Sequence, residues 1–125
     1  MSTAHSLKLK LTVGDRVVTA TLIDSPTTRD FLSQLPLSLT MEDLFGKEKF
    51  ARLPQALSTA GTRTNTVEVG DLGYWSPSSD VAIYYRTDGE KIPSPGIILI
   101  GKIDSAAEAF QASGSVKVKI EFANE

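Results

Sequence analysis

Four of the nine aromatic residues, Tyr74, Trp75, Tyr84 and Tyr85, fall within one stretch of twelve. Neighbours along a strand face opposite sides. One of Tyr74/Trp75 and one of Tyr84/Tyr85 should therefore face an interior, and the other a groove or the surface. Outward rings would form an aromatic wall able to stack on a flat ligand or a proline ring. The plainer reading is core filling, with each polar tip finding a hydrogen bond. The run Ile92-Pro93-Ser94-Pro95-Gly96 either edges a cleft, as loops often do, or is a stiff crossover between strands. Arg63, within Thr62-Arg63-Thr64-Asn65-Thr66, has a planar fork suited to a carboxylate or phosphate, or is an exposed strand or loop residue. The candidate binding set is Tyr74, Trp75, Ser76, Pro77, Tyr84, Tyr85, Arg63 and Pro93.

Catalytic chemistry has fewer carriers. The chain has no cysteine, which removes thiolate nucleophiles, disulfides and Cys-based zinc sites. The one histidine, His5, lies in a polar start, Met1 to Ser6, read as a solvated tail. A Ser-His-Asp triad needs an imidazole held by packing, and a multi-His metal site needs more than one. Acid–base work is left to carboxylates such as Glu42, Asp43, Glu48, Glu68, Asp71 and Asp80. Asp71, in a Gly-Asp turn, is read as bonding nearby backbone amides. There is no phosphate loop and no Asp-rich calcium loop. No catalytic residue, metal or cofactor is assigned.

The whole chain sets the limits. It has 125 residues, 41% hydrophobic and 22% charged, with a net charge of −2. One domain over 1–125, with 1–6 as a flexible tail, is the expectation, and a chain this size can bury about two-thirds of its unfolded surface. The slightly acidic balance does not favour nucleic acid as a partner. No run approaches a membrane span, and no signal peptide is read at the start, so the expected location is cytoplasmic. The mixed-sign cluster Gly46-Lys47-Glu48-Lys49 reads as a solvated turn or short helix.

The elements follow from periodicity. Leu7 to Val13 and Val17 to Leu22 alternate around Gly14-Asp15, which predicts a hairpin. Ser25-Pro26 predicts a capped helix with Phe31, Leu32 and Leu35 buried, ended by Pro36. Leu37 to Thr40 is a short strand, and residues 41–60 read as helical turns in a structured loop, because Gly46 and Pro54 break any long helix. Strands are expected at Thr64 to Val69, Leu72 to Trp75 and Val81 to Tyr85. Ile97 to Ile100, apolar on both faces, should be a central strand. Ser105-Ala106-Ala107-Glu108 is a capping box opening a helix to about Ala112, and Val116 to Phe122 is the cleanest alternation. Seven or eight strands and two short helices, with no βαβ rhythm, predict an all-β closed barrel or sandwich.

One longer pattern narrows this choice. Gly70-Asp71-Leu72-Gly73-Tyr74-Trp75-Ser76-Pro77 precedes Val81-Ala82-Ile83-Tyr84-Tyr85, and Gly96-Ile97-Ile98-Leu99-Ile100-Gly101-Lys102-Ile103 follows. Together with Glu48-Lys49 and Leu53-Pro54 upstream, this resembles the small bacterial cyclophilin-like family from Leu7 to Phe122. The resemblance implies a closed cyclophilin-like β-barrel capped by helices. Active cyclophilins isomerise prolyl bonds with an Arg in a Phe-His-Arg segment backed by a Phe-Met-x-Gln-Gly segment. This chain contains neither, so no catalytic residue carries over and prolyl isomerase activity is not implied. The reading is a non-catalytic binding or accessory module for a small molecule or peptide, with no nucleic acid or membrane partner. The alternative is an enzyme acting on a small molecule, or a weak peptidyl-prolyl isomerase.

Overall fold

The computed structural model describes residues 7–123, so the tail assigned to His5 lies outside the described residues. Its strands are β1 (Lys8–Val13), β2 (Arg16–Leu22), β3 (Leu37–Leu44), β4 (Glu48–Arg52), β5 (Arg63–Thr64), β6 (Asp71–Trp75), β7 (Asp80–Tyr84), β8 (Ile97–Ile103) and β9 (Val116–Phe122). They pair in the order β2-β1-β9-β3-β4-β7-β6-β8, and β8 pairs back onto β2. Eight antiparallel strands thus close into a barrel, which leaves none of them with a free edge along the closed circuit. The two-residue β5 lies beside the start of β8.

Alternation places the core. Leu9, Leu11, Val18, Ala20, Leu72, Tyr74, Val81, Ile83, Ile98, Ile100, Val118 and Ile120 are buried in one continuous interior. A one-residue bulge shifts the β6–β8 register between Leu72 and Gly73. It changes the parity of β8, so Ile98 and Ile100 before it and Ile103 after it all join the core. The β1–β2 hairpin, the central β8 and the alternating β9 form as the periodicity predicts.

Helix α1 (Pro26–Leu32) begins as predicted, with the Ser25 side chain accepting from the Thr28 amide and Pro26 in the first turn. Thr27 and Thr28 are fully buried. The Thr27 hydroxyl donates to Ser58 O at 2.6 Å, and Thr28 Oγ1 lies 3.4 Å from Ile100 O. The second helix is shorter than expected: a single 3-10 turn at Ala107–Phe110. Ser105 does not cap it, because the preceding residue is Ala106 in the left-handed region (φ 64) with no side-chain cap bond. The turn instead serves to carry Phe110 into the core. Since α1 follows the end of β2, the 3-10 turn follows the end of β8, and β2 and β8 are antiparallel, the two plug opposite ends.

Two further expectations are corrected. Residues 41–52 are not helical turns: β3 runs on to Leu44 and β4 follows, paired Glu42 to Phe50 and Leu44 to Glu48. The breaker Gly46 is the tip of this hairpin, where Phe45 and Gly46 both take positive φ (58 and 67). The expected strand from Thr64 to Val69 shortens to Arg63–Thr64.

Candidate functional site

The register of the outer face makes a depression. Facing out on β7 are Asp80, Ala82 and Tyr84, flanked by Glu48 and Phe50 of β4 and by Gly73 and Trp75 of β6. Phe50, Ala82 and Gly73 lie in one cross-strand row. Two small residues side by side leave the floor low. Ile97 fills the space over Gly73, where an added Cβ would stand 2.5 Å from Ile97 Cγ1. Ala82, Tyr84 and Ile97 form a second buried cluster, with Phe50, Val67, Trp75, Ile92 and Leu99 against it. Above them opens a groove of about 460 Å³, with Ile92 and Pro93 on its far wall and Phe45 at its lip.

Charges are distributed unevenly along it. Lys47, at the rim, is taken by Asp88 (2.8 Å) and Glu90 (2.9 Å) of the overhanging loop. Arg86 and Lys91 are exposed. Glu48 is half-buried at the Tyr84 end, and Asp80 lies at the Trp75 end. Burial, with the Asp80 and Asp43 carboxylates as neighbours, pushes the Glu48 carboxyl up from 4.5 to about 7. The Tyr84 hydroxyl is also pushed up, first by burial and then by Glu48 and Asp71. Among the described residues neither the Glu48 carboxyl nor the Tyr84 hydroxyl has a hydrogen-bond partner, while no buried side-chain polar atom lacks one. Both therefore keep an accessible face in the groove.

The raised Glu48 carboxyl has a consequence for stability. Between the ordinary value of 4.5 and about 7, the folded protein holds a proton that the unfolded chain has released. Stability from this group is thus lost as pH rises through that window. Glu48→Gln should be more stable than the parent by on the order of 2 kcal/mol at pH 8, allowing for partial solvent access, with the gap closing toward pH 4. Urea titrations of both proteins across this range check it; a gap that does not vary with pH would remove the burial argument.

The cluster expected to be a solvated turn is divided by the strand. Lys49 is completely buried, on the inner face of β4. Its ammonium donates to Asp43 Oδ1 at 3.0 Å, to Gly114 O at 2.6 Å and to Ala112 O, and lies 5.6 Å from the Tyr85 ring centre. Asp43 also accepts from the Tyr85 hydroxyl and, at 2.8 Å, from the Gly46 amide. The Tyr85 hydrogen bond leads the effects that hold the Asp43 carboxyl below its usual range. Burial and that same bond push the Tyr85 hydroxyl up to about 12.

The candidate residues therefore separate. Trp75, Tyr84 and Pro93 line the groove. Tyr74 and Tyr85 belong to the barrel interior, where the Tyr74 hydroxyl accepts from the Leu57 amide at 3.0 Å. Ser76, Pro77 and Arg63 are not among the groove-lining residues. The two terminal guanidinium nitrogens of Arg63, Nη1 and Nη2, both donate to Ser76 Oγ at 3.3 Å, and Arg63 edges a second hollow with Asn65, Ser94 and Pro95. Asp71 accepts from the Glu68 amide at 2.7 Å, the turn role expected of it. Sequence reasoning missed Glu48, Phe50 and Ala82 as groove residues; a strand reading of 48–52 would have placed Glu48 and Phe50 on one face. No metal-binding cluster is found among the described residues, and none of their helices is long and apolar enough to cross a membrane.

These features define a class: a closed antiparallel barrel with a ligand-sized apolar groove on its outer wall. The chain belongs to the cyclophilin-like family, whose model matches residues 11–121. Among solved structures, a hypothetical protein from Archaeoglobus fulgidus, determined in solution, matches with a TM-score of 0.74 at 19% identity, covering 98% of this chain and 100% of that one. That likeness shows the fold. No curated protein matches the chain.

Proposed function

We propose that the protein is a binding module, and that a small molecule or peptide sits in the outer-face groove. The observation that carries this reading is the groove of about 460 Å³, walled by Trp75, Phe50, Tyr84, Ile92 and Pro93, with Glu48 and Asp80 on its floor and further charged residues around it. That size and composition are typical of ligand sites. Trp75 is the only tryptophan, so its indole N–H is a single reporter. Titration of ¹⁵N-labelled protein with a proline-containing peptide mixture and then a pooled metabolite extract should shift it. Trp75→Leu should weaken that binding more than tenfold and leave the rest of the spectrum dispersed, because the ring covers the outer cluster and not the barrel interior. Binding undiminished in this folded variant would move the site elsewhere.

Glu48 favours a second reading. A carboxyl near 7 in a groove is poised for general acid or base work. An enzyme would show substrate turnover, or cis–trans exchange peaks from the peptides, that collapses in Glu48→Gln. Binding without turnover favours the module.

A further inference from the structure

We propose that the ligand of this groove carries a cationic nitrogen, an ammonium or guanidinium, on a flat apolar body. The cation would rest against the Glu48 carboxylate and the Tyr84 hydroxyl oxygen, and the body would lie over Ala82 between Phe50 and Trp75. This rests on the groove being the binding site. Charge complementarity carries it. The carboxylates of the groove floor are Glu48 at one end and Asp80 at the other. Of the lining cations, Lys47 is held by Asp88 and Glu90, while Arg86 and Lys91 are exposed at the rim. Tyr84 supplies a second, independent observation. It is only 5% exposed and lines the groove, and its hydroxyl has no hydrogen-bond partner among the described residues. An N–H donor that reaches Glu48 can also reach this acceptor, and the faces of Trp75, Phe50 and Tyr84 attract a cation in a desolvated site. At the Tyr84 end a ligand anion would meet the Glu48 carboxylate, whose one neighbouring cation, Lys47, is already held by Asp88 and Glu90; Arg52 stands beside Asp80 at the other end.

Three probes of one shape separate the terms: 2-phenylethylamine, 2-phenylethanol and 3-phenylpropionate, each followed at the Trp75 indole. The amine should bind about tenfold more tightly than the alcohol, and the acid most weakly. Glu48→Gln should erase the advantage of the amine over the alcohol. Amine affinity should rise up to about tenfold between pH 6 and 8 as Glu48 ionises. The charged and titratable groups around Glu48 are Asp43, Asp80, Asp88, Glu90, Lys47, Arg86, Lys91 and Tyr84. Hydrogen bonds hold the Asp43 and Asp88 carboxyls below their usual range, ion pairing holds Lys47 above its own, and burial raises Tyr84, all of them away from the window of pH 6 to 8. Equal binding of amine and alcohol, unchanged in Glu48→Gln, would overturn the cation assignment and leave the groove reading standing. No response of Trp75 to any of the three would overturn both.

Discussion

Lys49→Ala should cost the fold about 3–5 kcal/mol, a large part of the stability of a protein this size. The lysine is fully buried, and its ammonium is satisfied by Asp43, Ala112 O and Gly114 O. Those contacts bind the β3–β4 hairpin to the segment that leads into β9. Alanine would leave two carbonyls without their donor, a carboxylate without its counter-charge and a void where the aliphatic stem had packed. Lys49→Met retains the volume and should cost less, about 2 kcal/mol, so the pair separates packing from charge. Urea unfolding at pH 7 measures both. A midpoint for Lys49→Ala close to the parent would mean that the buried ammonium is no clasp.

Gly101→Ala should be nearly as costly, for a steric reason. The β2–β8 seam that closes the barrel rests on three residue pairs: Ala20 to Ile103, Thr21 to Lys102 and Leu22 to Gly101. A Cβ on Gly101 would stand 2.5 Å from Thr21 O and 3.0 Å from Leu22 Cα. The obstacle is backbone, so no rotamer relieves it and the strands must part. About 2–4 kcal/mol is the expected loss. Hydrogen exchange localises it: the Ile23 amide bonds to Ile100 O at 2.7 Å and the Asp104 amide to Thr19 O at 2.9 Å. Both should lose protection more than the amides of the β3–β4 ladder. Uniform loss around the barrel would instead point to global destabilisation without a weak seam.

The elements that were legible in the sequence are those whose inward residues are apolar and outward residues polar. β1 and β9 pair Leu9, Leu11, Val118 and Ile120 inside against lysines and glutamate outside, so their period-two pattern was plain. Near its turn the β3–β4 hairpin departs from that chemistry. Its inner face carries Asp43 and Lys49, and its outer face carries Leu44 and Phe50. A strand with charge inside and an aromatic outside has no apolar alternation to read, and the helical turns assigned to it were the result. Reading the segment as helical turns also hid the shared face of the groove residues Glu48 and Phe50. The aromatic pairs were legible as pairs, since a strand must divide Tyr74 from Trp75 and Tyr84 from Tyr85. Which of each pair points inward depends on how the strands close into the barrel, which leaves no local signal.

The neighbouring positions of β1 and β9 have a bearing on engineering. Leu9 lies opposite Phe122, and the Ala123 amide bonds to Lys8 O at 3.2 Å. The chain enters and leaves the barrel side by side, on the wall across the strand circuit from β6 and β7. A short peptide can therefore join the two strands, and new ends can be cut at Gly14-Asp15, the exposed β1–β2 turn. Such a circular permutant keeps every strand pair and leaves the groove untouched. For the same reason the barrel can be spliced into a surface loop of another protein, with the groove on the outward side.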